Sequence, residues 1–123
     1  MKFAKNTFLI IEEICQLLLI FRNDLMKENK FQRDLIKEIK ERFPGCLVFK
    51  NDPNYIQGVP DLTVLYGKQW ALLECKKSAH EEHQPNQDYY IERGNDMSIA
   101  RFIYPENRTE VLDELQQTFK HRR

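Results

Sequence analysis

Hydrophobic residues are concentrated in the first quarter of the chain, where they recur at helical spacing. A row of apolar positions separated by alternating steps of three and four residues predicts a helix that packs along one line. We call this row the seam; it consists of Ile11, Ile14, Leu18, Phe21 and Leu25. Five more apolar residues widen the surface around it: Phe8, Ile10, Leu17, Leu19 and Ile20. We therefore predict a hydrophobic N-terminal helix, with more apolar surface than one small domain can cover.

The pattern after this helix alternates between helical and extended segments. Polar residues 27–30 predict a short break, and apolar residues at helical spacing predict a second helix over 31–43. Strands are predicted at 47–49, 62–66 and 69–76, the last two joined by a hairpin turn. A helix from Pro85 to about Arg93, a strand over 99–104 and a last helix capped by Thr109 complete the chain; Pro44-Gly45 and Gly94-Asn95 are the predicted helix ends.

The order α-α-β-β-β-α-β-α predicts one α/β domain with a central mixed β-sheet flanked by helices. The length of 123 residues suits a single domain of this kind. We expect residues 1–27 to form an N-terminal extension, residues 28–120 the folded domain, and residues 121–123 a basic tail.

Composition and charge narrow the cellular setting more than the function. Equal numbers of basic and acidic residues give zero net charge, which argues against a non-specific cationic coat but leaves nucleic acid open. Three widely spaced cysteines favour a reducing, cytoplasmic location over a disulfide framework. The N-terminal apolar run is interrupted by Glu12, Glu13 and Gln16, so we expect no membrane span.

Two carboxylates and a lysine are predicted to meet at the ends of two neighbouring strands. Side chains alternate along a strand, so Glu74 and Lys76 project from one face while Cys75 points away. The hairpin would bring Asp61 beside them. Two carboxylates, with the backbone carbonyl of Cys75, would form an all-oxygen site suited to Mg²⁺ or Mn²⁺. Lys76 could neutralise negative charge that develops on a phosphate. The two carboxylates, the metal ion and Lys76 together suit the hydrolysis of a phosphate ester.

The same residues carry a family resemblance. Gly-Val-Pro-Asp at residues 58–61, a gap of twelve residues, and Glu-Cys-Lys at 74–76 resemble the signature of PD-(D/E)XK nucleases. Within that superfamily the chain is most similar to the branch that holds Holliday-junction resolvases and virus-type replication-repair (VRR-NUC) nucleases. The resemblance spans residues 28–119 and implies a restriction-endonuclease-like fold. It further implies roles in DNA repair and recombination, and a phage or mobile-element source acting in a host cytoplasm.

Two further site residues follow from the resemblance. It implies that Glu28, on the first core helix, joins the metal site, and that Gln87 belongs to the catalytic set. Each has a simpler interpretation, because Glu28 could be a carboxylate favoured near a helix start and Gln87 a helix-surface residue. The sequence His80-Glu81-Glu82-His83 is not a zinc motif of the H-E-x-x-H kind, and we interpret it as a polar loop.

The sequence therefore predicts a magnesium-dependent endonuclease that cleaves DNA, with branched DNA such as Holliday junctions among the candidate substrates. The alternative is a non-catalytic DNA-binding or protein-interaction module that retains the nuclease fold. The uncovered apolar surface of the N-terminal helix predicts a homodimer held through that helix; the alternative is that the helix packs along its own domain.

Overall fold

Four strands form one sheet, and they are antiparallel except at one edge. The structure, a computed structural model, describes residues 2–121 and the side chains of residues 6–120. The strands are β1 (Leu47–Lys50), β2 (Leu62–Tyr66), β3 (Gln69–Cys75) and β4 (Ile99–Ile103), in that spatial order. Strands β1, β2 and β3 pair antiparallel, and β4 lies parallel to β3. The predicted α/β domain with a mixed sheet is confirmed.

The first helix, α1 (Lys2–Arg42), is continuous through the polar segment at residues 27–30. The predicted break and the predicted division into two helices are therefore wrong. Polar residues with good helix propensity do not interrupt a helix, and the sequence has no proline before Pro44. The observed order is α-β-β-β-α-β-α, and the helix ends at the predicted Pro44-Gly45 turn, where Gly45 has φ +87°.

The hydrophobic core lies between one face of the sheet and two helices. The C-terminal part of α1 and all of α3 (Arg108–His121) cover this face with apolar side chains. The largest fully buried side chains are those of Leu35, Ile39, Leu62, Leu73, Ile103, Leu112 and Leu115. Outside the core, Glu38 accepts hydrogen bonds from Arg42 and from Arg108, the latter linking α1 to α3.

The helix α2 (Gln87–Met97) lies on the other face of the sheet and connects β3 to β4. It runs through Gly94, so the predicted helix end at Gly94-Asn95 is wrong. Gly94 is buried, and a Cβ atom there would lie 2.8 Å from Leu72 Cδ1 and 3.0 Å from Ala100 Cβ. The glycine permits close packing of α2 on the sheet and does not end the helix. The helix α3 likewise begins at Arg108, one residue before its predicted cap at Thr109.

The N-terminal extension keeps its large apolar side chains exposed to solvent. Twelve of them are 46–68% exposed: Phe8, Leu9, Ile10, Ile11, Ile14, Leu17, Leu18, Leu19, Ile20, Phe21, Leu25 and Met26. Within the described residues, no helix is long and apolar enough to cross a lipid bilayer. The predicted basic tail at 121–123 lies outside the described residues, apart from the backbone of His121.

Candidate functional site

Strand register places Asp61 directly beside Glu74. Leu62 of β2 pairs with Leu73 of β3, so the residues one step further along each strand are also opposite each other. The Asp61 backbone N–H donates to Glu74 Oε2 at 3.1 Å, and the Cys75 N–H donates to Asp61 Oδ2 at 2.9 Å. Each carboxylate is therefore held by the backbone next to the other one.

Lys76 and Gln87 complete a buried polar network around Glu74. Lys76 projects from the same face as Glu74, and the two residues are only 5% and 4% exposed. Lys76 Nζ donates to Gln87 Oε1 at 2.6 Å and to the Glu82 carbonyl at 3.2 Å. Gln87 Nε2 donates to Glu74 Oε1 at 3.0 Å, and its Oε1 also accepts from the Gln84 N–H. Gln87 thus bridges the carboxylate and the ammonium.

Burial of two neighbouring carboxylates disfavours the ionised form of Glu74. Its pKa is raised to about 8, first by burial and then by the negative charge of Asp61, which outweigh the opposing effect of Lys76. Burial also raises the pKa of the Cys75 thiol to about 12, with a further contribution from Asp61. At neutral pH the Cys75 sulfur is therefore a thiol and not the thiolate that binds metals.

Glu28 of α1 reaches the same cleft from the opposite wall. The cleft has a volume of about 560 Å³ and is lined by Glu28, Gln32, Asp61, Glu74 and Lys76, among others. Glu28 is half-buried, and burial and the charge of Glu81 are the main causes that raise its pKa, with a smaller contribution from Asp61. The structure therefore brings together all five residues that the sequence singled out. Their chemical roles stay predictions.

The donor set of the cleft fits a hard divalent cation through two carboxylates. Asp61 and Glu74 are adjacent, and their mutual repulsion is the kind that a cation relieves. Among the described residues, no three Asp, Glu, His or Cys side chains converge closely enough to hold one ion. Glu28 stands at the cleft wall, so it completes a metal shell only if its side chain turns inward.

A glycine fixes the distance between the two sides of the site. Gly58 has φ +88°, and a Cβ atom there would lie 2.7 Å from the backbone of Pro85 and Asn86. The loop before Asp61 therefore packs directly on the residues that precede Gln87.

The loop between β3 and α2 forms a wall of the cleft. His83 Nδ1 lies 2.6 Å from Asp88 Oδ1, and its ring stacks on Phe102 with centroids 4.1 Å apart. His80 is exposed. This loop contributes the Glu82 carbonyl, which holds Lys76, and the Glu81 carboxylate, which raises the pKa of Glu28. Sequence reasoning missed the carbonyl contact, because any residue type supplies a carbonyl.

Comparisons with known proteins give a match to a solved structure but none to a family model. No family model matches the sequence, and neither does any curated protein. A solved structure described as a VRR_NUC domain is 25% identical to the chain with a TM-score of 0.53, and the match covers 71% of this chain and 95% of that one. Together with the Asp61, Glu74 and Lys76 arrangement at the strand ends, this match identifies the chain as having a VRR-NUC-like nuclease fold of the PD-(D/E)XK type.

Proposed function

We propose that this protein is a metal-dependent endonuclease that hydrolyses phosphodiester bonds in DNA. The observation that carries the proposal is the buried network in which Asp61 and Glu74 lie side by side and Lys76 is linked to Glu74 through Gln87. Burial of titratable side chains such as Glu74 and Lys76 costs stability, so such groups are found more often at functional sites than elsewhere, and a reaction at a phosphate needs this set of groups.

The proposed cation is Mg²⁺ or Mn²⁺, held by Asp61 and Glu74. The backbone carbonyl of Cys75 and the carboxylate of Glu28 are the further proposed ligands. Bound there, the cation would neutralise negative charge that develops on the phosphate. Oxygen ligands favour these ions over zinc, and the protonated Cys75 thiol adds no competing sulfur ligand.

Lys76 is proposed to contact the scissile phosphate or to hold the attacking water. An ammonium has three N–H donors, and two of those on Lys76 are occupied by Gln87 and the Glu82 carbonyl. The third is then left for substrate or water at the cleft. Gln87 is proposed to position Lys76 and Glu74, since it bonds to both and would fix their separation.

DNA is the proposed substrate because the matched structure is a nuclease-type domain. Branched DNA is the favoured class if the protein acts as a homodimer through its N-terminal extension. Two clefts held at a fixed separation could then cut two strands of one junction.

The direct test is cleavage of labelled junction, flap, duplex and single-stranded DNA with Mg²⁺, Mn²⁺, Ca²⁺ or EDTA. We expect cleavage with Mg²⁺ and Mn²⁺, and DNA binding with little turnover in Ca²⁺, whose larger and looser shell positions groups poorly. If cleavage depends on zinc and is lost in the double variant His80→Ala, His83→Ala, then the active site lies in the loop between β3 and α2 and not at Asp61 and Glu74. Activity unaffected by EDTA would contradict a metal-dependent mechanism.

The second candidate function is a non-catalytic DNA-binding or protein-interaction module. The exposed apolar extension favours it, because such a surface indicates a binding partner. The two candidates differ in calorimetric Mg²⁺ titration. A catalytic site should bind Mg²⁺ and lose that binding in Asp61→Asn, whereas Glu41→Gln on the exposed face of α1 serves as the matched control.

A further inference from the structure

The loop between β3 and α2 holds two side chains of the cleft through its backbone, and His83 lies between the two points of contact. The Glu82 carbonyl accepts a hydrogen bond from Lys76 Nζ at 3.2 Å. The Gln84 N–H donates to Gln87 Oε1 at 2.8 Å, and Lys76 Nζ donates to the same oxygen at 2.6 Å. The backbone groups on either side of His83 therefore hold Lys76 and Gln87 in place.

This part of the loop has little regular structure of its own. Residues 82–86 are exposed, and residues 82–84 belong to no helix, strand or turn. An exposed segment of this kind moves easily unless side chains fix it to the rest of the domain. The Glu82 carbonyl can hold Lys76 in one place only if the loop itself is anchored.

His83 supplies such an anchor through contacts with two regular elements. Its ring stacks on Phe102 of β4, with centroids 4.1 Å apart and an angle of 21° between the planes. Its Nδ1 atom lies 2.6 Å from Asp88 Oδ1 in the first turn of α2, and the nitrogen is the donor because an ionised carboxylate only accepts. The Asp88 side chain is 74% exposed, so water screens this contact and the stack is the larger part of the anchor.

The anchor point lies next to the proposed reacting groups. In the register of β3 and β4, Phe102 is the partner of Glu74, so the two side chains lie on the same face of the sheet. The described residues that line the cleft include Gln84 and Gln87 but not His83. The imidazole therefore acts on the cleft through its loop and not by direct contact with a ligand there.

We propose that His83 is a positioning residue, whose ring on Phe102 keeps the Glu82 carbonyl where it fixes the direction of Lys76. In its effect on cleavage this inference rests on the proposed nuclease function, whereas the placement of Lys76 does not. The requirement at position 83 is for a flat ring and not for imidazole chemistry. A metal ligand or a proton carrier would instead need the ring nitrogens.

Steady-state cleavage with Mg²⁺, on DNA that the wild type cuts, tests the effect on the reaction. His83→Ala should lower kcat by about 10–100-fold with little change in KM, because a misplaced Lys76 weakens the chemical step more than the binding of DNA. His83→Phe keeps a ring on Phe102 but has no ring nitrogen, and it should retain most of the activity. The matched control is His80→Ala, at an exposed histidine of the same loop, which should behave like wild type.

Chemical labelling of Lys76 tests its placement without reference to activity. Limiting acetic anhydride should label Lys76 slowly in wild type, where the residue is 5% exposed, and several times faster in His83→Ala. The neighbouring Lys77, whose side chain is 42% exposed, is the internal reference, read by fragmentation mass spectrometry. Labelling in His83→Phe should match wild type, and circular dichroism checks that each variant is folded.

Each departure from these results has a distinct meaning. Unchanged labelling of Lys76 in His83→Ala would overturn the inference, whatever happens to cleavage. Equal losses of activity in His83→Phe and His83→Ala would also overturn it, because the imidazole itself would then be required. Normal cleavage by His83→Ala despite faster labelling would overturn the link to catalysis. A wild type that cleaves no DNA but shows the labelling difference would contradict the nuclease function and leave the placement of Lys76 by His83 standing.

Discussion

The cleft buries charged side chains, whereas the N-terminal extension exposes apolar ones. Glu74 and Lys76 are among the least exposed residues of the domain, and the seam residues of α1 are among the most exposed. Both distributions are unfavourable for an isolated folded chain, since buried charge loses hydration and exposed apolar surface orders water. In the cleft, hydrogen bonds within the chain offset much of the cost. In the extension, the offset would have to come from outside the chain. The contrast separates a region whose polar groups are paired within the chain from one whose apolar side chains are left uncovered.

The largest expected effect is on catalysis at the cleft. Asp61→Asn, Glu74→Gln and Lys76→Ala should each reduce cleavage by about a thousandfold or more, the range expected when a group that stabilises developing charge is removed. The thermal melt should not fall in parallel for the two carboxylate variants, because Asp61→Asn removes the negative charge beside Glu74, and Glu74→Gln replaces a carboxyl group that is mostly protonated at neutral pH by a neutral amide. Single-turnover cleavage and melting of the same preparations provide the measurement. Near-normal activity in any two variants would mean that this buried network is structural.

Two leucine truncations in α1 test the contrast between its buried C-terminal part and its exposed N-terminal part. Leu35→Ala should lower the free energy of unfolding by about 2–5 kcal/mol, because Leu35 is fully buried in the core. Leu18→Ala should change it by less than about 0.5 kcal/mol in dilute protein, as for exposed positions. Urea unfolding at two protein concentrations measures both. An effect of Leu18→Ala that grows with protein concentration would show stabilisation by association; a large effect in dilute protein would mean that the extension packs on its own domain.

A smaller effect is expected from Glu28, which stands between the two regions. Glu28→Gln should reduce metal-dependent cleavage by about 10–100-fold, the usual loss for groups that support a metal site. Glu41→Gln, exposed on the same helix, is the matched control and should have little effect. Glu38→Gln would be a poorer control, because Glu38 accepts hydrogen bonds from Arg42 and Arg108. Equal losses at positions 28 and 41 would indicate general helix electrostatics.

The smallest expected effect concerns the pH dependence of stability in EDTA. The pKa of Glu74 rises from 4.5 to about 8 on folding, so the folded protein keeps a proton that the unfolded chain releases. Stability from this group is fully present below about pH 4.5 and is lost as the pH rises toward 8. Glu74→Gln removes this dependence, so its stability relative to wild type should increase between pH 5 and pH 8, by about 1 kcal/mol or more. A constant difference across that range would mean that Glu74 is ionised in the metal-free fold.

The sequence predicted the strands well because alternation and turn residues act locally. The start of β2, the hairpin at Gly67 and the register that joins Asp61 to Glu74 all follow from such signals. The helix boundaries were predicted less well, since Gly94 looks like a helix end but is required by packing against Leu72. The polar residues at 27–30 suggested a break, but polarity alone does not show whether a helix continues.

In the site, the sequence predicted the positions of side chains better than the contacts made by the backbone. Residue types and spacing indicated Asp61, Glu74 and Lys76 correctly as neighbours, and the family resemblance added Gln87, because the chemistry of all four is carried by side chains. The hydrogen bond that the Glu82 carbonyl accepts from Lys76 could not be predicted from the sequence.

Gly58 shows how a residue without a side chain can limit the substitutions that a site tolerates. Any replacement there would push the loop before Asp61 away from the backbone of Pro85 and Asn86. One mutation would thereby displace Asp61 and Gln87 together, although neither codon has changed. In a deep mutational scan Gly58 should therefore tolerate as few substitutions as the charged residues of the cleft. Lineages that diverge at most surface positions should retain this glycine for as long as they retain the activity.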